Sequence, residues 1–600
     1  MNDFINYLNA TNNVGGNTVG SLAEAQVKTE YYNSIKVDRR LGDYIAECIK
    51  SGNHKAFILT GHAGDGKTSI LIQVLKELDM INPGDSLECS YENDKLFYVK
   101  DMSEFSSNEQ CMLLEEALNA PQGGKSSLII SNTGPLLKTF ETIVENNYEE
   151  QGKEFTDEDK MKLQSELLQQ LDTNENQYLT IDKYEFVLIN IARVDNVPFA
   201  KKILKNIISP SLWTPCEKCD CASFCPIKNN RDLIESQFYR VSTFIESYYR
   251  YLYENDKRMT IRQIMGQISY AITGNLTCDS IKSNTLKQSF KKWATFDYNF
   301  ANLFFGYRAI DEAKDTDQIK SIRQIKNLAL DKIALDCDYL LFVKQNFDCF
   351  KPNLQDELTK LYKKYRNTFE QASEDDDTTK IEKRHKKELK LRQAVRRFYL
   401  MFSMTNDGNI ESILNQIYGP QFARYVGLIS QKQNKVNIRK LQDLVFEALY
   451  IRNTGFIPES VSELPLTLRR EDGVFQNVMI SLGTVRKSDL KIIQKKIDNK
   501  FEDTDEKYDV YLDLPNSNES FKLSLPMITY FNNLVNGSIS SNNNPALTHG
   551  IAMLDTLLLD CFGEEKPESK EDCELTVVIN TTNGQKKEIL SFDDRRLNIQ

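Results

Sequence analysis

Ala56-Phe57-Ile58-Leu59-Thr60, followed by Gly61-His62-Ala63-Gly64-Asp65-Gly66-Lys67-Thr68 and then Ser69-Ile70-Leu71-Ile72-Gln73-Val74-Leu75-Lys76-Glu77-Leu78, is the stretch from which the fold is read. The first five residues form a short apolar run of the kind expected of a buried parallel strand. The last ten carry apolar residues at helical spacing. Between them the octapeptide 61–68 matches the phosphate-binding pattern GxxxxGK[ST] at every position. Gly61, Gly64 and Gly66 permit a tight turn that aims backbone N–H groups inward. Asp65 inside the motif and Ser69 directly after it are further candidates for nucleotide binding, and Lys67 is placed to reach the outer phosphates. The Thr68 hydroxyl is a ligand for Mg²⁺. A strand, a glycine loop and a helix in that order place the positive end of the helix at the phosphate site.

Outward from this point, strand-like and helix-like segments alternate to about residue 200. Lys95–Asp101 reads as a second strand ending in an acid, Ser127–Asn132 as a third, and Glu185–Arg193 as a fourth. Such alternation predicts βαβ units, a parallel sheet and a ligand at the carboxyl ends of the strands. A phosphate loop needs an acid near its metal and a group to orient water before it hydrolyses anything. The third strand ends in Asn132-Thr133 without a carboxylate, whereas the second ends in Asp101-Met102-Ser103-Glu104 with two. Asp101 is therefore the candidate for the magnesium shell and Glu104 for the water-orienting base. Asn132 and Asn190 are candidates to sense the terminal phosphate by hydrogen bonding. A helix cap is the competing role for each of these polar residues. Arg262 lies in the first turn of a helix opened by Thr260, where the helix dipole disfavours a cation. Contact with a nucleotide phosphate is one reason for that placement, and an ordinary surface arginine is the other.

Composition bounds the alternatives. The chain has 600 residues, 27% of them charged, and a net charge of −11, which argues against a stand-alone basic nucleic-acid binder. No run approaches the 18 or more apolar residues of a membrane span, and the first residues lack a signal-peptide layout, so a cytoplasmic protein is expected. The four histidines leave little room for histidine-based catalysis. Cys216, Cys219, Cys221 and Cys225 are packed into ten residues. That spacing suggests a structural Zn²⁺ site, with an iron–sulfur cluster or no metal as alternatives. The expected organisation is an N-terminal helical lead-in at 1–50, partly flexible, and a nucleotide-binding core at 51–230. A helical lid and bundle at 231–460 and a small α+β domain at 461–600 follow. An acidic turn at 374–380 precedes a basic run with Lys383, Arg384, Lys386, Lys387, Lys390, Arg392, Arg396 and Arg397. It reads as a solvated helix face or as a face for nucleic-acid phosphates.

The motifs GHAGDGKT at 61–68, VKDMSE at 99–104, INIARVDN at 189–196, CxxCxCxxxCP at 216–226 and RMTIRQIMGQISYAITG at 258–274 together resemble the F component of the bacterial DNA phosphorothioation-dependent restriction system, the DptF (DndF) family. The resemblance spans roughly the first half of the chain. It implies an AAA-like P-loop NTPase (ASCE type) with a helical lid, ATP and Mg²⁺ as cofactors, and nucleotide or metal roles for Lys67 and Thr68. Asp101 and Arg262 are its further site residues. It also implies a defence setting, in which the chain works with partner G and H proteins against DNA lacking the host's phosphorothioate mark. DNA is then contacted directly or through partners, and self-association is left open. Many such ATPases carry acids where this chain has Asn132-Thr133, which supports a second reading, a nucleotide-gated scaffold with little hydrolysis.

Overall fold

The computed structural model describes all residues except 13–30, 83–84, 86, 174–177, 285–286, 371–377, 405–406, 434, 459–460, 469–476, 498–500, 516–519, 539–543, 564–573, 582–583, 594–595 and 600. Most of the acidic turn at 374–380 lies outside the described residues. The chain forms two compact units. Unit 1 comprises Met1–Tyr253, Lys257–Ile413 and the short segment Asn499–Thr504, and unit 2 comprises Glu254–Asp256, Leu414–Asp498 and Asp505–Gln600.

Unit 1 is built on a six-stranded sheet in the order β2-β3-β4-β1-β6-β5. Its strands are β1 (Ala56–Thr60), β2 (Ser90–Glu92), β3 (Leu96–Val99), β4 (Ser126–Ile130), β5 (Leu179–Ile181) and β6 (Tyr184–Asn190). The four inner strands are parallel, with Ala56 opposite Ser127 and Phe57 opposite Val187. The sheet is mixed, because β2 and β5 close its two edges as antiparallel hairpin partners of β3 and β6. Both short edge strands lie outside the all-parallel expectation. Each is joined to its neighbour by a tight connection, which favours antiparallel pairing.

The apolar runs are continuous because both faces are covered. Ala56 and Ile58 of β1, Ile129 of β4, and Phe186 and Leu188 of β6 point to one face. There they meet Leu114 and Leu118 of helix Ser107–Asn119, Phe140 and Ile143 of helix Thr133–Glu150, and Leu167 of helix Asp157–Thr173. Phe57, Leu59, Leu128, Ile130, Val187 and Ile189 point to the other face, against helices Arg40–Lys50 and Lys67–Glu77. This alternation follows from the two-residue period of a strand. Full burial of each such side chain contributes roughly 1.5–3 kcal/mol. The sheet is thereby rigid where its carboxyl ends present the loops.

Two features of the N-terminal region depart from the expected flexible lead-in. Residues Asp3–Asn12 form a helix whose Phe4, Ile5 and Leu8 are buried, with the Phe4 ring edge-on to Trp213 at 5.9 Å. Further on, the lead-in forms two helices, Tyr32–Ile35 and Arg40–Lys50, and the extended residues between them run beside the glycine loop. Past residue 200 unit 1 is mainly helical. Its longest helix, Thr378–Phe402, carries the basic run, in which Lys383, Lys386, Lys387 and Lys390 are exposed. Arg396, in contrast, pairs with Asp338 at 2.6 Å and Arg397 is fully buried against Asp331, so the end of the run packs inward and is not a solvated face.

Unit 2 is α+β. Strands 596–599, 584–593, 574–581, 478–486 and 463–467 form an antiparallel sheet in that order, and 491–496, 508–513 and 520–522 form a second one. Helices Lys435–Thr454, Leu525–Val535 and Pro545–Phe562 accompany them. Among the described residues, no helix is long and apolar enough to cross a membrane.

Candidate functional site

The glycine loop follows the central strand β1 and feeds directly into helix Lys67–Glu77, so the helix N-terminus opens at the carboxyl edge of the sheet. Gly64 and Gly66 have φ of +91° and +92°, in the left-handed region that favours glycine. Gly64 also has no room for a side chain: an added Cβ would lie 3.0 Å from Arg262 Cβ and 3.1 Å from Thr260 Oγ1. Gly64→Ala is expected to lower stability by about 1–2 kcal/mol and to displace the start of helix Ile261–Thr273. A chemical-denaturation midpoint equal to the parent's contradicts this.

The Lys67 ammonium sits over the loop, donating to Gly61 O at 2.6 Å, His62 O at 3.3 Å and Asn132 Oδ1 at 3.4 Å. Burial pushes its pKa down, and nearby Arg262 adds to this, while Asp65 and Asp101 oppose it. Asp65, Asp101 and Arg262 are therefore close enough to act on the Lys67 charge. Asp65 lies behind the loop. Its Oδ2 accepts from His62 N at 2.9 Å, and its Oδ1 pairs with Arg258 Nη1 at 2.6 Å.

Helix Ile261–Thr273 docks on the loop from the opposite side. Thr260 caps it and forms a capping box with Gln263, and Arg262 N donates to Gly64 O at 3.2 Å. Lys67, Thr68, Asp101, Asn132 and Arg262 line one cavity. The cavity runs on into a wall made largely of apolar side chains: Tyr7, Tyr32, Ile35, Val37, Ile203 and Met265. A cationic, N–H-rich end continuous with an apolar wall suits a ligand that joins phosphates to a flat, weakly polar group.

The other candidates are placed differently. Asp101 caps a 3₁₀ turn, accepting from Ser103 N at 2.9 Å and Ser103 Oγ at 2.7 Å, and still faces the cavity. Glu104 is exposed and pairs with Lys100 at 3.5 Å. Asn190 caps the turn after β6, accepting from Ala192 N at 3.0 Å and donating to Leu171 O at 2.7 Å. Asn132, two residues past β4, and Asn190, at the end of β6, thus lie on either side of the central strand β1, and Asn132 accepts from Lys67. Arg258 and Arg39 were not singled out from sequence. The signal for Arg258 was its place four residues before Arg262, and Arg39 has no local signal.

The cysteine cluster requires a correction. Among the described residues, no group of three or more His, Cys, Asp or Glu side chains is arranged to hold a metal ion, so the expected zinc or iron–sulfur centre at Cys216, Cys219, Cys221 and Cys225 is not formed. The chain gives these residues other work. Cys216 ends helix Pro210–Glu217, and its Sγ accepts from Asn2 Nδ2 at 3.3 Å. Cys219 and Cys221 carry successive turns through backbone bonds to Ala222 N and Phe224 N. Cys225 is the N-cap of helix Pro226–Ser236. Burial pushes the Cys216 thiol up and the Cys225 thiol up to about 11. Comparison of the chain with protein-family models, with curated proteins and with solved structures finds no match in any of the three.

Proposed function

We propose that unit 1 is a P-loop NTPase core of AAA-like type that binds ATP with Mg²⁺. The observation that carries this reading is the placement of the GHAGDGKT loop. It lies between the central parallel strand and a helix N-terminus, with Lys67 poised over its own loop carbonyls and Arg262 facing the same cavity. Phosphate oxygens would replace the carbonyls as partners of Lys67 and take the loop's N–H groups, with Arg262 adding a second cation. The apolar wall at Tyr32, Ile35, Val37 and Met265 suits a purine base. Thr68 and Asp101 offer two oxygens on that cavity, which fits a hard divalent cation arriving with the nucleotide. Asp101→Asn keeps the cap on Ser103 and removes the charge. It is expected to lower the Mg²⁺-dependent gain in nucleotide affinity about tenfold while leaving binding in EDTA within twofold. Equal Mg²⁺ dependence in variant and parent removes Asp101 from this role.

The motif resemblance sets this core in a bacterial restriction or anti-phage complex with G and H components, acting on DNA without phosphorothioate. A scaffold gated by nucleotide is the second reading. It is favoured by the end of β4, which has no carboxylate, and by Glu104, whose carboxylate pairs with Lys100. Steady-state ATP turnover with and without DNA separates the two. Turnover stimulated by DNA and lost in Asp101→Ala supports the ATPase, and stoichiometric binding with negligible turnover supports the scaffold.

A further inference from the structure

Residues 501–504 stand in the chain between two paired strands of unit 2, Lys491–Lys496 and Tyr508–Asp513, yet belong to unit 1. They are seated behind the glycine loop. Phe501 is 3% exposed, packs with Leu41, Ile45 and Phe57, and has its ring 5.6 Å from that of Tyr44. Glu502 Oε2 accepts from the Asp195 N–H at 3.1 Å in the connection after β6. Asp503 Oδ1 accepts from Arg40 N at 3.0 Å, and Thr504 O accepts from Arg40 Nη1 at 3.4 Å.

The Asp503 carboxylate, 2% exposed, lies 3.4 Å from Arg39 Nε. Arg39 in turn touches the nucleotide loop. Its Nη1 approaches Asp65 O at 3.5 Å, and its backbone is clamped by Gln73 from the helix that follows the loop, at 2.9 and 3.0 Å. Asp65 is thus held at its carboxylate by Arg258 and at its carbonyl by Arg39. Arg39 Nε and Asp503 Oδ2 meet as an ion pair without close hydrogen-bond geometry, and Arg39 Nη2 is buried with no hydrogen-bond partner among the described residues. A buried ion pair with an unmet donor is sensitive to the position of its neighbours, and the glycine loop is one of them through Asp65 O.

We propose that residues 501–504 are a latch coupling the phosphate loop to the chain that continues into unit 2, with Asp503 positioning Arg39 and Arg39 positioning the loop. The proposal rests on nucleotide binding at that loop. Linkage requires the effect to be reciprocal: nucleotide changes the stability of latch docking, and loss of the latch changes nucleotide affinity by the same factor.

The test uses the full chain and a non-hydrolysable ATP analogue with Mg²⁺. In the parent protein, saturating analogue is expected to change amide exchange across 501–507 about fivefold or more. Asp503→Asn is expected to shift the analogue's Kd by a comparable factor and to abolish that change in exchange. The proposal is overturned if the analogue binds while exchange at 501–507 is unchanged, or if Asp503→Asn binds within twofold of the parent. The exchange measurement needs no variant, so a misfolded Asp503→Asn does not block it. Absence of analogue binding to the parent overturns the nucleotide reading itself, and the latch with it.

Discussion

Lys67→Ala is expected to weaken binding of an ATP analogue about ten- to a hundredfold and to abolish turnover, with the fold retained. A hydrogen bond to a charged group is worth roughly 1.5–3 kcal/mol, which corresponds to that range. Lys67 has three acceptors, all of which are carbonyl oxygens of the loop or of Asn132. Phosphate offers a better partner, because both members of the pair are then charged. The loop's own conformation depends on Gly64, Gly66 and the Asp65–Arg258 pair, none of which the substitution touches. Isothermal titration of parent and variant, with circular dichroism to compare folding, checks both halves of the expectation. Equal affinity in the two proteins would remove the phosphate role from the loop.

The largest loss of stability is expected from Asp331→Ala. Arg397 is fully buried in unit 1 and every arm of its guanidinium is occupied. Nη1 bonds Asp331 Oδ2 at 2.6 Å, Nε bonds Asn302 Oδ1 at 3.0 Å and Nη2 bonds Ala309 O at 3.1 Å. The Tyr307 ring lies 4.0 Å from its centre. Removing the only carboxylate in this set leaves a cation in a dry site. Breaking a buried pair from one side costs about 3–5 kcal/mol. Urea unfolding followed at a probe in unit 1 is the measurement, since a two-unit chain does not unfold as one step. A midpoint indistinguishable from the parent's would show that Arg397 finds its compensation elsewhere. This contrasts with the Arg39–Asp503 pair, where Arg39 Nη2 has no hydrogen-bond partner among the described residues and the pair is set against the glycine loop.

Much of unit 1 was legible locally. The run at 56–60, the glycines at 61, 64 and 66, and the helical spacing after Ser69 each act over a few residues. A strand buried on both faces needs a continuous apolar run, and a turn at positive φ needs glycine. The strand ends at Asp101 and Asn132 were found the same way, and both face the cavity. Arg262 stood out because a cation in a first helical turn is electrostatically misplaced unless something anionic arrives there.

The limits were those of distance along the chain. Arg258 meets Asp65 across 193 residues, and Arg40 meets Asp503 across 463. Neither pairing leaves a local pattern, because a long-range polar contact constrains position in space and not spacing in sequence. The cysteine cluster shows the opposite failure. Its spacing satisfied a metal-site pattern, but a pattern lists donors without aiming them. The turns between helices Pro210–Glu217 and Pro226–Ser236 committed those residues to caps and backbone bonds.

Local chemistry, then, was enough to specify a strand–glycine loop–helix and the mixed α/β character of the region around it, because steric and periodic rules operate within a turn or two. Which cations surround the loop, and that a segment near residue 502 lies behind it, were decided only when distant surfaces packed. Burial brought Arg39, Asp65 and Asp503 together, and no short-range rule could have placed them so.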